Sequence, residues 1–398
     1  MNPSIGRLTF ICTSAPWHPG PRARILPLAA HAAARGVAVT VLCLDPAFMQ
    51  HPRIPVQHTG VSVMTVAQMH IDASGTPLTG VRLLWTVLSA TIALTFAALR
   101  SRPDALVIAK SQPMNGIAGL IVGACRRIPV LLDTDDDEAG SHTHAHPFVV
   151  RALSWFARCL PGWVTSTTCA TQWQTNQILK TGNVRVSAIP NGVTAQQCTA
   201  PTQAALEAFR RQQNLPAAYL VYIGNWSMRA HAVDLLIRAY AASQRRLPLV
   251  IAGSGHDRSV LRALAESLGM GDTLVWIETL SPAEVILLLA GAHASVDPIR
   301  DTPAAAARCP LKIIESIAQG IPVITSTIGD RHGLLGTAGI YATAGDVDSY
   351  AEAIDYACMQ DRSGAASNRR DATFMWNVLA ARWYGAHNLM LPEVAHAR

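Results

Sequence analysis

At 398 residues the chain exceeds what one hydrophobic core serves, roughly 250–300 residues, so two domains are expected. Half of the residues are hydrophobic and 15% are charged, which excludes a disordered chain and leaves ample apolar surface for buried parallel sheets. The formal net charge is +6, and the excess sits in residues 1–170, where 13 Lys and Arg face 8 Asp and Glu, against 19 and 18 in 171–398. Without a Lys/Arg-rich run or an interleaved aromatic stripe, this asymmetry argues against nucleic acid and for an anionic partner: a phosphorylated acceptor or the anionic face of a membrane.

In chain order, residues 1–13 contain Arg7 and read as a first strand rather than a signal peptide. Strands over 8–13 and 37–43 bracket the Pro/Gly loop 14–21 and a helix over 22–35 that Gly36 stops, with Pro27 marking a kink or the true start. Residues 83–99 are apolar or hydroxylated throughout, close to the ~17-residue minimum for a membrane span. Arg82 and Arg100 flank them and a strand follows directly, so the expectation is a buried crossover helix, with interfacial membrane contact or a true span as the alternatives.

Strands follow over 105–109, 130–132 and 164–166. The turn Ile189-Pro-Asn-Gly-Val193 and the polar stretch 198–203 place the domain boundary. The second half restarts the alternation with strands over 219–223, 249–252, 274–277, 294–296 and 323–325, which reads as two doubly wound α/β domains. Ser281-Pro-Ala-Glu284 is a capping box opening a helix to about residue 290. The eight cysteines form no Cys-x-x-Cys pair and read as reduced core thiols of a cytoplasmic protein, and no repeat of 20–50 residues is present.

The most informative segment is Cys309-Pro-Leu-Lys-Ile-Ile-Glu315-Ser-Ile-Ala-Gln-Gly320-Ile-Pro-Val-Ile-Thr325. Pro310 stands where a helix starts, and the N–H groups of that first turn make a seat for a phosphate, with the charge of Lys312 nearby. Glu315 lies one turn on, on the same helical face, while Ile313, Ile314 and Ile317 point toward a sheet. A carboxylate there can accept both ribose hydroxyls. The plain alternative is an exposed Lys312–Glu315 ion pair worth less than about 1 kcal/mol.

This segment resembles the donor-site signature of the retaining GT-B glycosyltransferases of family four. The segments Leu249-Val-Ile-Ala-Gly-Ser-Gly255, Ile189-Pro-Asn-Gly-Val193 and Phe374-Met-Trp376 fit the same family in the same order. The resemblance implies GT-B architecture: two Rossmann-like domains facing a cleft, with an acceptor-side domain over 1–190, a nucleotide-sugar domain over 191–372, and a last helix, 373–398, returning to the first. It implies a nucleotide sugar as donor substrate, no cofactor and no metal. On the donor side it implies Arg229, after the strand end Gly224-Asn225-Trp226-Ser227-Met228, as the diphosphate cation, with Gly253, Gly255, Lys312 and Glu315.

Three positions depart from the family pattern. Asn225 stands where a basic residue is usual, and Arg308 where many relatives carry a glutamate near the transferred sugar, so sugar recognition falls to the loop Asp297, Arg300 and Asp301, with Asp301 preferred. Asp135 stands where many relatives carry a histidine. Five acids occupy six positions from Asp133 to Glu138, and their repulsion is expected to raise some of their pKa values. Asp135 and Asp136 are the candidates for stabilising an oxocarbenium-like transition state or taking the acceptor proton, the alternative being an acidic helix-capping loop.

Gly20 lies where the family's glycine-rich loop approaches the donor, with Arg22 and Arg24 beside it. His142-Thr-His144-Ala-His146 invites a metal reading, but alternating surface histidines are simpler. The expected function is a nucleotide-sugar-dependent hexosyltransferase, with retention and without a covalent enzyme nucleophile. The rivals are a non-catalytic nucleotide-sugar-binding homologue and a sugar-nucleotide epimerase. The acceptor is open, a lipid-linked or anionic one being favoured, with peripheral contact of the N-terminal domain at the inner face of a membrane.

Overall fold

The computed structural model describes residues 4–48, 50, 56–137, 147–182, 184–244, 247–271, 273–360 and 372–392. The chain divides into two compact units, residues 1–192 with 376–398, and residues 193–375.

Unit 1 is built on an eight-stranded sheet of β1 (Arg7–Cys12), β2 (Ala38–Asp45), β3 (Val56–His58), β4 (Val61–Gln68), β5 (Ala105–Ala109), β6 (Val130–Thr134), β7 (Ser166–Cys169) and β8 (Val186–Ala188). The order is β3-β4-β2-β1-β5-β6-β7-β8, and only β3 against β4 is antiparallel. The central strands are buried on both faces, as their unbroken apolar runs require. Leu8, Phe10, Val39, Val41 and Val107 pack against the helices Leu26–Ala33 and Trp376–Ala386, while Ile11, Leu42, Leu106, Ile108 and Leu132 pack against the helices Gly80–Ser101, Pro113–Arg126 and Pro147–Trp163.

Three expectations change here. The strand expected over 164–166 lies at Ser166–Cys169, whose first three residues are hydroxylated and so invisible to hydropathy, yet buried. The hairpin β3–β4 and the short strands β8 and β14 (Gly339–Tyr341) were not expected. The crossover over 83–99 exists as Gly80–Ser101, but it is buried only along Thr86, Ala90, Leu94 and Ala98. One sheet face covers one stripe of a helix, and the opposite stripe is exposed, with Leu84 70% and Phe96 63% accessible.

The first helical segment begins with a π-helical turn, Pro21–Ile25, before the α-helix Leu26–Ala33. Its Arg24 is 1% exposed and donates to both oxygens of Asp133, Nε at 2.6 Å and Nη2 at 2.8 Å. Asp133 also accepts from Thr168 Oγ1 at 2.6 Å and from Trp383 Nε1 at 2.8 Å, and His387 bonds Ser166 Oγ through Nδ1 at 2.7 Å. The C-terminal helix is thus held in unit 1 by a buried polar network as well as by Leu379 and Tyr384, whose hydroxyl donates to the Leu28 carbonyl at 2.8 Å.

Unit 2 is a six-stranded, wholly parallel sheet, β9 (Leu220–Asn225), β10 (Leu249–Ser254), β11 (Leu274–Ile277), β12 (Ala294–Val296), β13 (Val323–Thr325) and β14, in the order β11-β10-β9-β12-β13-β14. Its faces are covered by Val233–Ala242 and Val347–Met359 on one side and by Gln203–Gln212 and Pro282–Gly291 on the other. The Ser281–Glu284 capping box forms in both directions, as its sequence spacing requires.

Two outcomes follow from the network in unit 1. Arg24→Met leaves the Asp133 carboxylate buried without its cation and is expected to cost about 3–5 kcal/mol in urea unfolding; a loss under about 1 kcal/mol would contradict the network's role. Burial holds His387 down to about 4 from 6.5, so the folded state keeps it neutral where the unfolded chain takes up a proton. Its contribution is therefore full above pH 6.5 and is lost as pH falls toward 4. His387→Gln should flatten the fall in urea midpoint across that window, and an unchanged slope would contradict the assignment.

Candidate functional site

Parallel sheets offer ligands the loops at the carboxyl ends of their strands, and each unit gathers charged groups there. In unit 1, β5 is followed by Lys110, a non-glycine residue at φ 74° whose N–H donates to the Asp133 carbonyl at 2.8 Å. That turn sets its ammonium 3.5 Å from Asp135 Oδ1 and 3.7 Å from Asp136 Oδ2, and both carboxylates keep some solvent access. Gly20 stands directly above: a methyl group there would lie 3.6 Å from Lys110 Cε and 3.8 Å from Asp135 Oδ2. Gly20 has an ordinary helical φ of −59°, so its value here is the space it leaves rather than an unusual backbone. Thr13, Ser14, Arg24, Asp133 and Asp135 line the same hollow.

Asp133, Asp135 and Asp136 do not turn to one point. Burial alone would raise Asp133, but the charge and hydrogen bonds of Arg24, with those of Thr168 and Trp383, outweigh it and hold the carboxyl below its usual range. The direction is the reverse of the one that crowding predicts, because Asp133 turns inward to Arg24 while Asp135 and Asp136 turn to Lys110. Arg24 is consequently spent inside the fold rather than presented to a donor. Glu138 and the motif His142-Thr-His144-Ala-His146 lie outside the described residues, and no cluster of metal-ligating side chains occurs among the described ones.

In unit 2 the centre is Lys312, in the first turn of the helix Leu311–Ala318 that packs Ile313 and Ile317 inward. Its side chain is 11% exposed, its Nζ sits 4.1 Å above the Tyr222 ring, and it pairs with Asp297 Oδ1 at 3.3 Å without the alignment of a hydrogen bond. Burial pulls this lysine below its ordinary pKa and Asp297 opposes the fall. Asp297 follows β12 and is itself saturated, accepting from Arg331 Nε at 2.8 Å and Thr325 Oγ1 at 3.2 Å. Burial would raise it, but Arg331 and Lys312 together hold it far below the carboxylate range.

Around this pair stand more cations than anions. Arg308 donates to the Ala230 carbonyl at 2.8 Å, bracing the short turn Met228–His231 that carries the exposed Arg229. Arg300 is engaged with Asp234 at 2.7 Å and with the Met228 carbonyl at 2.8 Å, so it organises the same turn. Burial, with the charges of Lys312 and Arg308, pushes His231 down to about 3 and keeps it neutral. The helix beginning after Pro310 has no side-chain cap; Ile313 N–H donates to the Pro310 carbonyl at 3.1 Å, and the amides of Leu311 and Lys312 are offered to an anion. Glu315, one turn on, accepts from Gln197 Nε2 at 2.9 Å, while Lys312 turns the other way to Asp297; an exposed Lys312–Glu315 pair does not describe them.

Gly253 and Gly255 face protein backbone. At φ +128° a methyl group on Gly253 would collide with the Gly224 carbonyl oxygen, and one on Gly255 with the backbone of Trp226. They let the ends of β9 and β10 close on each other and so fix the 224–229 loop. Asp301 is exposed and lines an open depression with Ser326, Thr327 and Ser349. Sequence reasoning missed Lys110, Tyr222 and Arg331. Lys110 directly follows a strand of a parallel sheet, a position that topology alone marks; Tyr222 and Arg331 carry no local signal.

A family model for a glycosyl transferase 4-like domain matches residues 19–192, and one for glycosyl transferases group 1 matches residues 217–360. No curated protein sequence matches the chain. Among solved structures, sucrose-phosphate synthase from Thermosynechococcus elongatus is 16% identical with a TM-score of 0.78, over 96% of this chain and 98% of that one. HepE from Anabaena is 15% identical with a TM-score of 0.70, over 96% and 99%. The glycosyltransferase WaaG is 17% identical with a TM-score of 0.64, over 98% of each chain. With one family model on each unit and the GT-B fold shared along nearly its whole length, the chain belongs to the group 1 glycosyltransferases.

Proposed function

We propose that the protein moves a hexosyl group from a nucleoside-diphosphate sugar to an acceptor hydroxyl, with retention at the anomeric carbon. The observation that carries this reading is the surplus of positive charge around the buried Lys312, beside an uncapped helix start and one turn from Glu315. A diphosphate brings negative charge, and a pentose brings paired hydroxyls that a carboxylate can accept. HepE, a neighbour in fold, has been solved with UDP, with UDP and glucose, and with UDP-glucose. Retention is assigned from the resemblance of the 309–325 segment to retaining enzymes.

In the reaction the acceptor oxygen bonds to the anomeric carbon as the bond from that carbon to the diphosphate oxygen breaks. The acceptor proton passes to the departing diphosphate or to a carboxylate of unit 1. Lys312, Arg229 and the first-turn amides are assigned to the charge that collects on the leaving group, and Asp135 and Asp136, only partly neutralised by Lys110, to the positive charge that develops on the sugar ring. Glu315 holds the ribose, and Gly20 leaves room for the donor. Asp301 is assigned to sugar hydroxyls, with Gly253 and Gly255 shaping the phosphate loop.

The reading is tested by incubating the protein with a panel of nucleoside-diphosphate sugars and acceptors. Transfer supports it, while an epimerised nucleotide sugar formed without acceptor would replace it. Glu315→Ala should weaken nucleoside diphosphate binding about 10- to 100-fold in calorimetry, the worth of a charged hydrogen bond, and an unaltered affinity would remove Glu315 from the site. Asp135→Asn with Asp136→Asn should lower kcat about 100-fold or more while leaving nucleotide affinity intact. Equal losses in kcat and in nucleotide affinity would instead place these carboxylates in donor binding.

A further inference from the structure

Eleven of the eighteen large hydrophobic side chains exposed among the described residues lie on three helices of unit 1, Gly80–Ser101, Pro113–Arg126 and Pro147–Trp163. The three share one face of the sheet, so their outward stripes form one layer. On the first helix Leu84, Leu88, Ile92 and Phe96 repeat every four residues, opposite the buried row Ala90, Leu94 and Ala98. Ile117 and Ile121 continue the apolar surface on the second, and Phe148 and Trp155 on the third, Phe148 being 75% accessible. An apolar surface of this extent on a folded unit marks a docking site.

Charge decides what docks there. No Asp or Glu occurs in any of the three helices, whereas Arg82 and Arg100 bound the first, Arg126 and Arg127 close the second, and Arg151 and Arg158 lie along the third, all exposed. The acids nearest the first helix in sequence are turned to backbone: Asp104 accepts from the N–H groups of Gly6 and Arg7, and Asp72 from those of Ser74 and Thr76. In the acidic run between the second and third helices, Asp133 pairs with Arg24, and Asp135 and Asp136 with Lys110. A basic rim around exposed Leu, Phe and Trp matches a phospholipid surface whose headgroups are anionic, with tryptophan suited to the headgroup level.

The first helix is long and apolar enough to cross a membrane by length and composition. It nevertheless connects β4 to β5, and its Ala90–Leu94–Ala98 row is sealed against the sheet, so insertion across a bilayer would tear the core open. We infer that this three-helix layer lies flat on an anionic phospholipid bilayer, its apolar stripes in the headgroup boundary and its arginines among the phosphates. The inference stands apart from the sugar-transfer reading and survives or fails independently of it.

Flotation of the full chain with vesicles tests it. The protein should float with vesicles of equal parts phosphatidylglycerol and phosphatidylcholine about tenfold better than with phosphatidylcholine alone, and high salt should release it. Leu88→Glu with Phe96→Glu should abolish flotation. Arg126→Gln with Arg127→Gln, which leaves the apolar face intact, should weaken it about fivefold per arginine. Circular dichroism and the thermal midpoint of each variant establish folding. Wild-type protein that stays below both vesicle types, or a folded glutamate variant that floats as well as wild type, would overturn the proposal. So would a self-associated form in solution that the glutamate substitutions disperse while vesicles are ignored, since the layer would then join two copies of this chain.

Discussion

A charge taken into a protein interior must bring its partner with it, and both units are arranged around one such obligation at the carboxyl ends of their parallel strands. In unit 2 Asp297 follows β12 and is held by Arg331, and from there it fixes the Lys312 ammonium over the Tyr222 ring. In unit 1 Asp133, the fourth residue of β6, is held by Arg24, Thr168 and Trp383. Buried pairs of this kind add little net stability over an apolar substitute, and removing one member is costly. Their value lies in position: the aspartate gives the sheet a fixed handle on a cation in unit 2 and on the C-terminal helix in unit 1.

The two arrangements leave opposite residual charges. Around Asp297 the cations outnumber the anions, and Arg308 adds a further positive charge. Beside Asp133 the half-buried pair Asp135 and Asp136 shares one Lys110. The proposed transfer builds negative charge on a leaving group and positive charge on a sugar ring, and each surplus has the sign that would offset one of them. The outer layer of unit 1 adds a third element, a broad apolar surface rimmed by arginine, which accounts for the basic excess of the N-terminal half without calling on the reacting groups.

Sequence pattern made the architecture legible where strands are buried on both faces, because apolar runs such as those of β1, β5, β9 and β10 have no other use. It failed at β7, whose Thr167 and Thr168 are buried hydroxyls serving Asp133 and the interior, and at the short edge strands, which carry too few residues for a pattern. Among site residues, the spacing of Pro310, Lys312 and Glu315 announced a phosphate seat, but the partner of Lys312 came from a loop before it in the chain. Similarly, the run of aspartates after β6 was visible, while its division between an inward Arg24 and an outward Lys110 depends on two cations far away in sequence. Long-range pairing is what a single sequence conceals.

Selection for a diphosphate is proposed to rest on the buried cation Lys312. The decisive measurement is calorimetric titration of a nucleoside diphosphate and of the matching nucleoside into the wild-type protein and into Lys312→Met, which keeps the length of the side chain and removes its charge. The wild type should prefer the diphosphate by about two orders of magnitude, and most of this preference should vanish in the variant while nucleoside affinity holds. A preference of the same size in both proteins would contradict it.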